Sequence, residues 1–322
     1  MPSEYLRHIP CGEPLPKNNP HAVSVSLPLM SDVIGYEVGD KSIIDKMQAG
    51  YPRFRQNNFV SDSVRLTRRI YDIKDHFEIL PLSSKKAIKI LEDHFKIEFP
   101  VIEIDEFPFI LLESSSSLLT KIRSFIQNTG ILPSSRQAED YLLNSGAINS
   151  EFVEEKEIYP NSERIIKNIL SEVYNCKTED ILLANGGMNA IFAVYEALKM
   201  NRNKSNRQIF IQFGWVYLDT IEILKKYGDQ YININSIEEL EIFVAQNRDD
   251  ISGVFAEIPN NPFLKTFDLP RISSFLKVNN IPLIIDSTLG TPFNVEVLEY
   301  CDIVVESLTK FACGNADLLM GA

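Results

Sequence analysis

Beyond residue 160 the apolar positions alternate between two spacings. A helical period, with a Ser162 cap, carries Ile165, Ile166, Ile169, Leu170 and Val173 on one face. Short apolar runs of strand length follow, at 181–184, 208–213, 230–234, 253–258 and 282–286, separated by helical patterns at 188–200, 218–227, 237–246 and 270–278. Strands alternating with helices of ten or more residues predict βαβ units and a largely parallel sheet, helices on both faces. The expectation for 151–322 is an α/β domain.

The first 150 residues have no such rhythm and read as an α-rich extension. Residues 82–95, capped by Ser83 or Ser84, place Ala87, Ile88, Leu91 and Phe95 on one helical face. Helices are also expected over 118–128 and 136–144, each stopped by a glycine, and a shorter one from Asp40. Residues 101–112 read as one or two strands broken at Pro108, and Val23 and Val25 hint at a short strand.

Composition narrows the function classes. A formal charge of −12 and a pI near 4.9 argue against nucleic acid or an anionic membrane as the main partner. No apolar run approaches a membrane span, and the first residues lack the apolar core of a signal peptide. Cys11, Cys176, Cys301 and Cys313 have no C-x-x-C spacing, and the four histidines form no metal motif, so no metal site is expected. A cytoplasmic location is the expectation.

Candidate chemistry gathers towards the end of the chain. Leu283-Ile284-Ile285 delivers Asp286, followed by Thr288, and Ile303-Val304-Val305 leads to Glu306-Ser307-Leu308-Thr309-Lys310. Open α/β sheets bind ligands at the carboxyl ends of such strands. Asp286 beside a pyridine nitrogen would hold it protonated; equally, it is a strand-end acid capping its own turn. Lys310 is a Schiff-base amine if desolvated, and otherwise an ordinary surface lysine. Gly187-Met188 opens a helix whose amides suit a phosphate, or is a plain tight turn. Ser307 and Thr309 offer hydroxyls, and Asn261 an amide or simply an Asn-Pro turn. Acid, amine, hydroxyls and an anion-binding turn together point to pyridoxal phosphate (PLP).

The order of Asn185-Gly186-Gly187-Met188, Asn260-Asn261-Pro262, Ile284 to Thr288 and Asp302 to Lys310 resembles the PLP-dependent enzymes of cysteine and methionine metabolism. His21 to Pro28, Ile34 to Asp40 and Gly50 to Phe54 resemble the extended start of fungal-type cystathionine γ-synthases. The resemblance implies the large domain of PLP fold type I. Lys310 would be the catalytic Schiff-base lysine, and Asp286 would face the ring nitrogen. Asn261 would meet the ring hydroxyl, with Gly187, Met188, Ser307 and Thr309 around the phosphate and Thr288 beside them. An aromatic stacks on the ring in this family; here Trp215 is favoured, with Tyr217 next.

Two departures stand out. The family's Tyr-x-Arg falls where residues 156–161 hold no arginine, and Tyr51-Pro52-Arg53 lies too far upstream to inherit the role. The sequence also stops at Ala322, where relatives continue into a smaller C-terminal domain that binds the substrate carboxylate; a fragment or a truncated relative is the expectation. The resemblance implies γ-replacement of an O-acyl-homoserine by cysteine in a homo-oligomer, dimer or tetramer. Lyase or sulfhydrylase chemistry, or a non-catalytic binding subunit, are the alternatives.

Overall fold

A computed structural model describes residues 8–52, 54–104, 107–154, 159–202 and 207–322. The chain divides into two compact units: residues 1–127, 131–156 and 313–319 form one, and 128–130, 157–312 and 320–322 the other. Arg53 and residues 156–158 of the stretch compared above lie outside the described residues.

The first unit opens with a two-stranded ribbon, β1 (Pro14–Leu15) and β2 (Ser24–Val25), then α1 (Met30–Glu37) and α2 (Lys41–Ile44). Asp40 caps α2 by accepting from the Ser42 amide at 2.8 Å. Next come α3 (Asn58–Ile70), β3 (Phe77–Pro81), α4 (Lys85–Phe95), β4 (Val101–Ile104) and β5 (Phe107–Glu113). Ser84, not Ser83, caps α4. The three strands form an antiparallel sheet ordered β3-β5-β4. Pro108 does not break the run. Its missing N–H falls beyond the last β3 pair, Pro81 with Phe109, and its carbonyl accepts from the Leu82 amide at 3.0 Å. The helices α5 (Leu119–Thr129) and α6 (Ser135–Asn144) follow. Phe107, Phe109, Ile79, Val60 and Tyr141 pack into one core.

The second unit runs α7 (Ser162–Tyr174), α8 (Gly187–Arg202), β6 (Ile209–Phe213), α9 (Leu218–Tyr227), β7 (Gln230–Ile234) and α10 (Ile237–Asn247). It continues with β8 (Ile251–Glu257), α11 (Leu269–Val278), β9 (Leu283–Asp286), the short α12 (Thr291–Asn294) and β10 (Ile303–Val305). Every strand pair in this sheet is parallel, in the order β10-β9-β8-β6-β7. All residues of β6 and β8 are buried, as expected of central parallel strands covered on both faces. The chain leaves β6 towards β7 but leaves β8 towards β9. The order reverses between these neighbours, and the crevice at their carboxyl ends is where such sheets bind ligands.

Residues 181–184 make no strand of their own. Leu182 is 77% exposed, and only Ala184 bridges, its amide donating to the Gly321 carbonyl at 2.8 Å. Among the described residues no helix is long and apolar enough to cross a membrane, and the four cysteines are all free thiols.

Candidate active site

Three adjacent parallel strands end in acids. Glu257 closes β8, Asp286 closes β9 directly beside it in register, and Glu306 follows β10. Parallel register sets Glu257 level with Asp286, and Glu306 follows one position beyond Val305, the residue paired with Asp286. Thr288 folds back on Asp286, its amide donating to Oδ1 at 3.0 Å, while its Oγ1 accepts from the Ser307 amide at 2.8 Å.

Ser307 meets the start of α8. A Cβ added to Gly187 would stand 2.6 Å from the Ser307 Cβ and 3.0 Å from its Oγ, so only glycine permits this approach. The Ser307 hydroxyl is buried without a partner, beside the unpaired amides of a helix N-terminus. An orphaned donor against a positive helix end is the chemistry of an anion site. Gly187, Ser307, Thr288 and Asp286 thus form one continuous contact series.

Glu257 extends it. Its Oε1 accepts from the Asn261 amide at 2.8 Å, and the Tyr217 backbone also donates to this carboxyl. Its Oε2 is buried without a partner. Burial, with the Asp286 charge adding to it, pushes Glu257 up to about 8. Burial also raises Asp286, against the hydrogen bonds from Thr288, and raises Glu306. Tyr174 of α7 donates to Glu306 Oε2 and lies 3.2 Å from the Ser287 hydroxyl. Burial and the bond to Glu306 hold its phenol well above the ordinary range.

The remaining candidates are less uniform. Lys310 closes a turn in which its amide donates to the Ser307 carbonyl at 3.1 Å. Crowding around its amine lowers its pKa, although the residue as a whole is exposed, so solvent tempers the shift. The Thr309 hydroxyl is engaged by the Met320 backbone, accepting from its amide at 3.1 Å and facing its carbonyl at 3.3 Å. Met188 is buried in the first turn of α8. Asn261 exposes its side chain, whereas Asn260 makes the turn by accepting from the Lys265 amide. The Trp215 ring packs edge-on against Phe263 at 5.8 Å.

Sequence reasoning missed Glu257, Glu306 and Tyr174. The signal for the acids was there: each is a carboxylate directly attached to an otherwise apolar strand. Tyr174 had none, because it arrives from a helix more than a hundred residues upstream of Ser287.

Residues 150–322 match the family of Cys/Met metabolism PLP-dependent enzymes. The chain belongs to this family. Its cofactor is pyridoxal phosphate. An L-2-amino-4-chloropent-4-enoate dechlorinase/desaturase from Streptantibioticus cattleyicolor is 32% identical over 308 residues, covering 94% of this chain. A cystathionine gamma-synthase from Neurospora crassa is 24% identical over 435 residues, covering 96% of this chain and 70% of its own length. The chain spans 61% of the length of the Streptantibioticus relative. Among solved structures, a protein described as an O-acetylhomoserine (thiol)-lyase from Campylobacter jejuni superposes over 58% of this chain and 44% of its own, with a TM-score of 0.43 and 20% identity.

The residues of this family member fit the cofactor. A buried hydroxyl lacks a partner beside a helix N-terminus, a cradle at Gly187 excludes any Cβ, and buried acids with raised pKa values await a cation.

Proposed function

We propose that this chain handles an L-α-amino acid bearing a leaving group on its γ carbon, and that it exchanges that group for a thiol. The specific reading is γ-replacement: O-acyl-homoserine and cysteine give cystathionine and the free carboxylic acid. The observation that carries it is the run of contacts from Gly187 through Ser307, Thr288 and Asp286, with the amine of Lys310 three residues beyond Ser307. Pyridoxal phosphate supplies an electron sink for a carbanion at the amino-acid α carbon.

The chain's own groups do the rest. Gly187, Ser307 and the amides opening α8 hold the phosphate. Asp286 keeps the ring nitrogen protonated, and its burial among other acids sharpens its demand for a cation. Asn261, anchored through its backbone amide on Glu257, would be the side chain to meet the ring hydroxyl. Lys310, its amine made easier to deprotonate by crowding, takes and returns protons at the substrate carbons. For the ring-stacking aromatic, Tyr217 is preferred over Trp215. Its backbone is tied to the carboxyl beside Asp286, whereas the Trp215 ring is committed to the exposed Phe263.

The second reading is elimination without replacement. The Streptantibioticus relative is named for loss of chloride from carbon 4 of a 2-amino acid, which is also the γ carbon. The test begins with pyridoxal phosphate uptake by the 322-residue chain, followed by borohydride reduction and peptide mapping, with the label expected on Lys310. Incubation with O-acyl-homoserine and cysteine should then give cystathionine. A 2-oxo acid, or chloride from a γ-chloro amino acid, would establish elimination instead. A chain that takes up no cofactor would sink both readings.

A further inference from the structure

The first unit contains a cavity of about 440 Å³, within the size range of small-molecule sites. Its walls are largely apolar, with Val60, Ile79, Leu80 and Ile126 among them, and the paired Arg123 and Glu78, 2.9 Å apart, form a part-exposed polar side. Ser135 is also on the wall. Its Oγ lies 2.9 Å from His21 Nδ1, and His21 Nε2 lies 3.2 Å from Glu139 Oε2. His21 is fully buried and Glu139 is 3% exposed.

Each member of this row is held in place. The His21 ring is clamped between Phe59 at 5.5 Å and the edge of Phe152 at 5.8 Å. Glu139 is anchored through Oε1, which accepts from the Phe152 amide at 2.6 Å. Burial, reinforced by the nearby Arg136 charge, lowers the His21 pKa against the pull of Glu139 and Glu154, so the imidazole is neutral near pH 7. His21 Nε2 is buried without a hydrogen-bond partner, its proton standing near the Glu139 carboxylate but outside hydrogen-bond geometry; with the proton on that nitrogen, Nδ1 is left as acceptor for the Ser135 hydroxyl. Ser135 is also the first residue of the ten-residue α6, where the Gln137 amide is capped by Ser134 Oγ at 3.0 Å and the amides of Ser135 and Arg136 have no intrahelical acceptor. A serine on a cavity wall, a neutral base bonded to its hydroxyl, and a carboxylate oxygen 3.2 Å from the far nitrogen of that base are the parts of an acyl-transfer site.

We propose that the first unit carries a second, hydrolytic site in which Ser135 is the nucleophile, His21 the general base and Glu139 the positioning residue. Its substrates are carboxylic esters with a small apolar body for the cavity wall and a polar end for Arg123 and Glu78. Ser135 Oγ adds to the ester carbonyl carbon as its proton passes to His21 Nδ1. The bond to the alcohol oxygen breaks, and the departing alkoxide takes that proton. Water repeats the sequence on the acyl-serine, releasing the acid and restoring the hydroxyl. The site is independent of pyridoxal phosphate.

The test uses the full chain with a fluorophosphonate probe and with p-nitrophenyl butyrate. The expected result is covalent labelling that maps to Ser135 and saturable ester turnover. Both should be reduced at least a hundredfold in Ser135→Ala and be equal with and without added pyridoxal phosphate. Turnover should rise with pH through a midpoint below 6.5, following the depressed pKa of His21. Ser135→Ala removes only a hydroxyl at a helix start, and circular dichroism checks that the variant folds. Absence of labelling, labelling elsewhere, or turnover unchanged in Ser135→Ala would overturn the proposal and leave His21 as a core staple.

Discussion

At the scale of single residues, Glu257 is the most informative group in the second unit. It is 6% exposed and sits between Asp286, the Asn261 amide and the Tyr217 backbone. Its folded pKa of about 8 exceeds its ordinary 4.5, so the folded chain holds a proton that the unfolded chain has lost. Stability from this group is therefore complete below pH 4.5 and lost as pH rises towards 8. Glu257→Gln removes the ionisation, and its stability relative to the parent should climb across that window, by on the order of a few kcal/mol at its end. Urea melts of the cofactor-free protein at pH 5 and pH 8 measure this; parallel profiles would refute it. The two aromatics after β6 make a second contrast. Tyr217→Ala should weaken pyridoxal phosphate binding at least tenfold and Trp215→Ala by less than threefold, read from fluorescence or absorbance titrations. The opposite ranking would return the stacking role to Trp215. His21 shows the limit of reading a residue from sequence: one of four scattered histidines becomes a fully buried group with a hydroxyl bonded at Nδ1 and a carboxylate oxygen 3.2 Å from Nε2.

Elements were the most legible scale, because burial on both faces leaves a plain mark. Ile209–Phe213 and Ile251–Glu257 are short apolar runs between helical periods, and both are buried throughout as central strands. The failures have local causes. The 181–184 run is apolar, yet its side chains do not all enter a core, and a single bridge to Gly321 is all the pairing it makes. Pro108 looked like a breaker because a proline removes a ladder donor; that donor is not needed where β3 has already ended. The start of α8 carries its own prediction. In Gly187→Ala the new methyl must displace the Ser307 Cβ, a contact attached to backbone rather than to a flexible side-chain end. The cost should be about 1–3 kcal/mol by overpacking, with a larger loss in pyridoxal phosphate affinity than a generic core substitution of equal cost. Thermal melts with and without cofactor separate the two effects.

At the scale of the whole molecule, the two units offer a control for each other. Cofactor binding to the folded state should slow amide exchange at the start of α8, the ends of β8 and β9, and the turn after β10. The β3-β5-β4 sheet should be unaffected. Hydrogen-exchange mass spectrometry checks this; protection confined to the first unit would place the ligand elsewhere. The parallel α/β character of the second unit and the residue types at its strand ends are legible in the sequence. Strand length, apolar runs and the polar groups that close them are local properties, written in consecutive residues. Tertiary structure alone decided which groups meet. Glu257 and Asp286 lie 29 residues apart along the chain and become neighbours only through parallel register, as Gly187 and Ser307 do through close helix-to-turn packing. Their pKa values follow from the same source, because desolvation depends on everything that surrounds a carboxyl, and no local pattern records it.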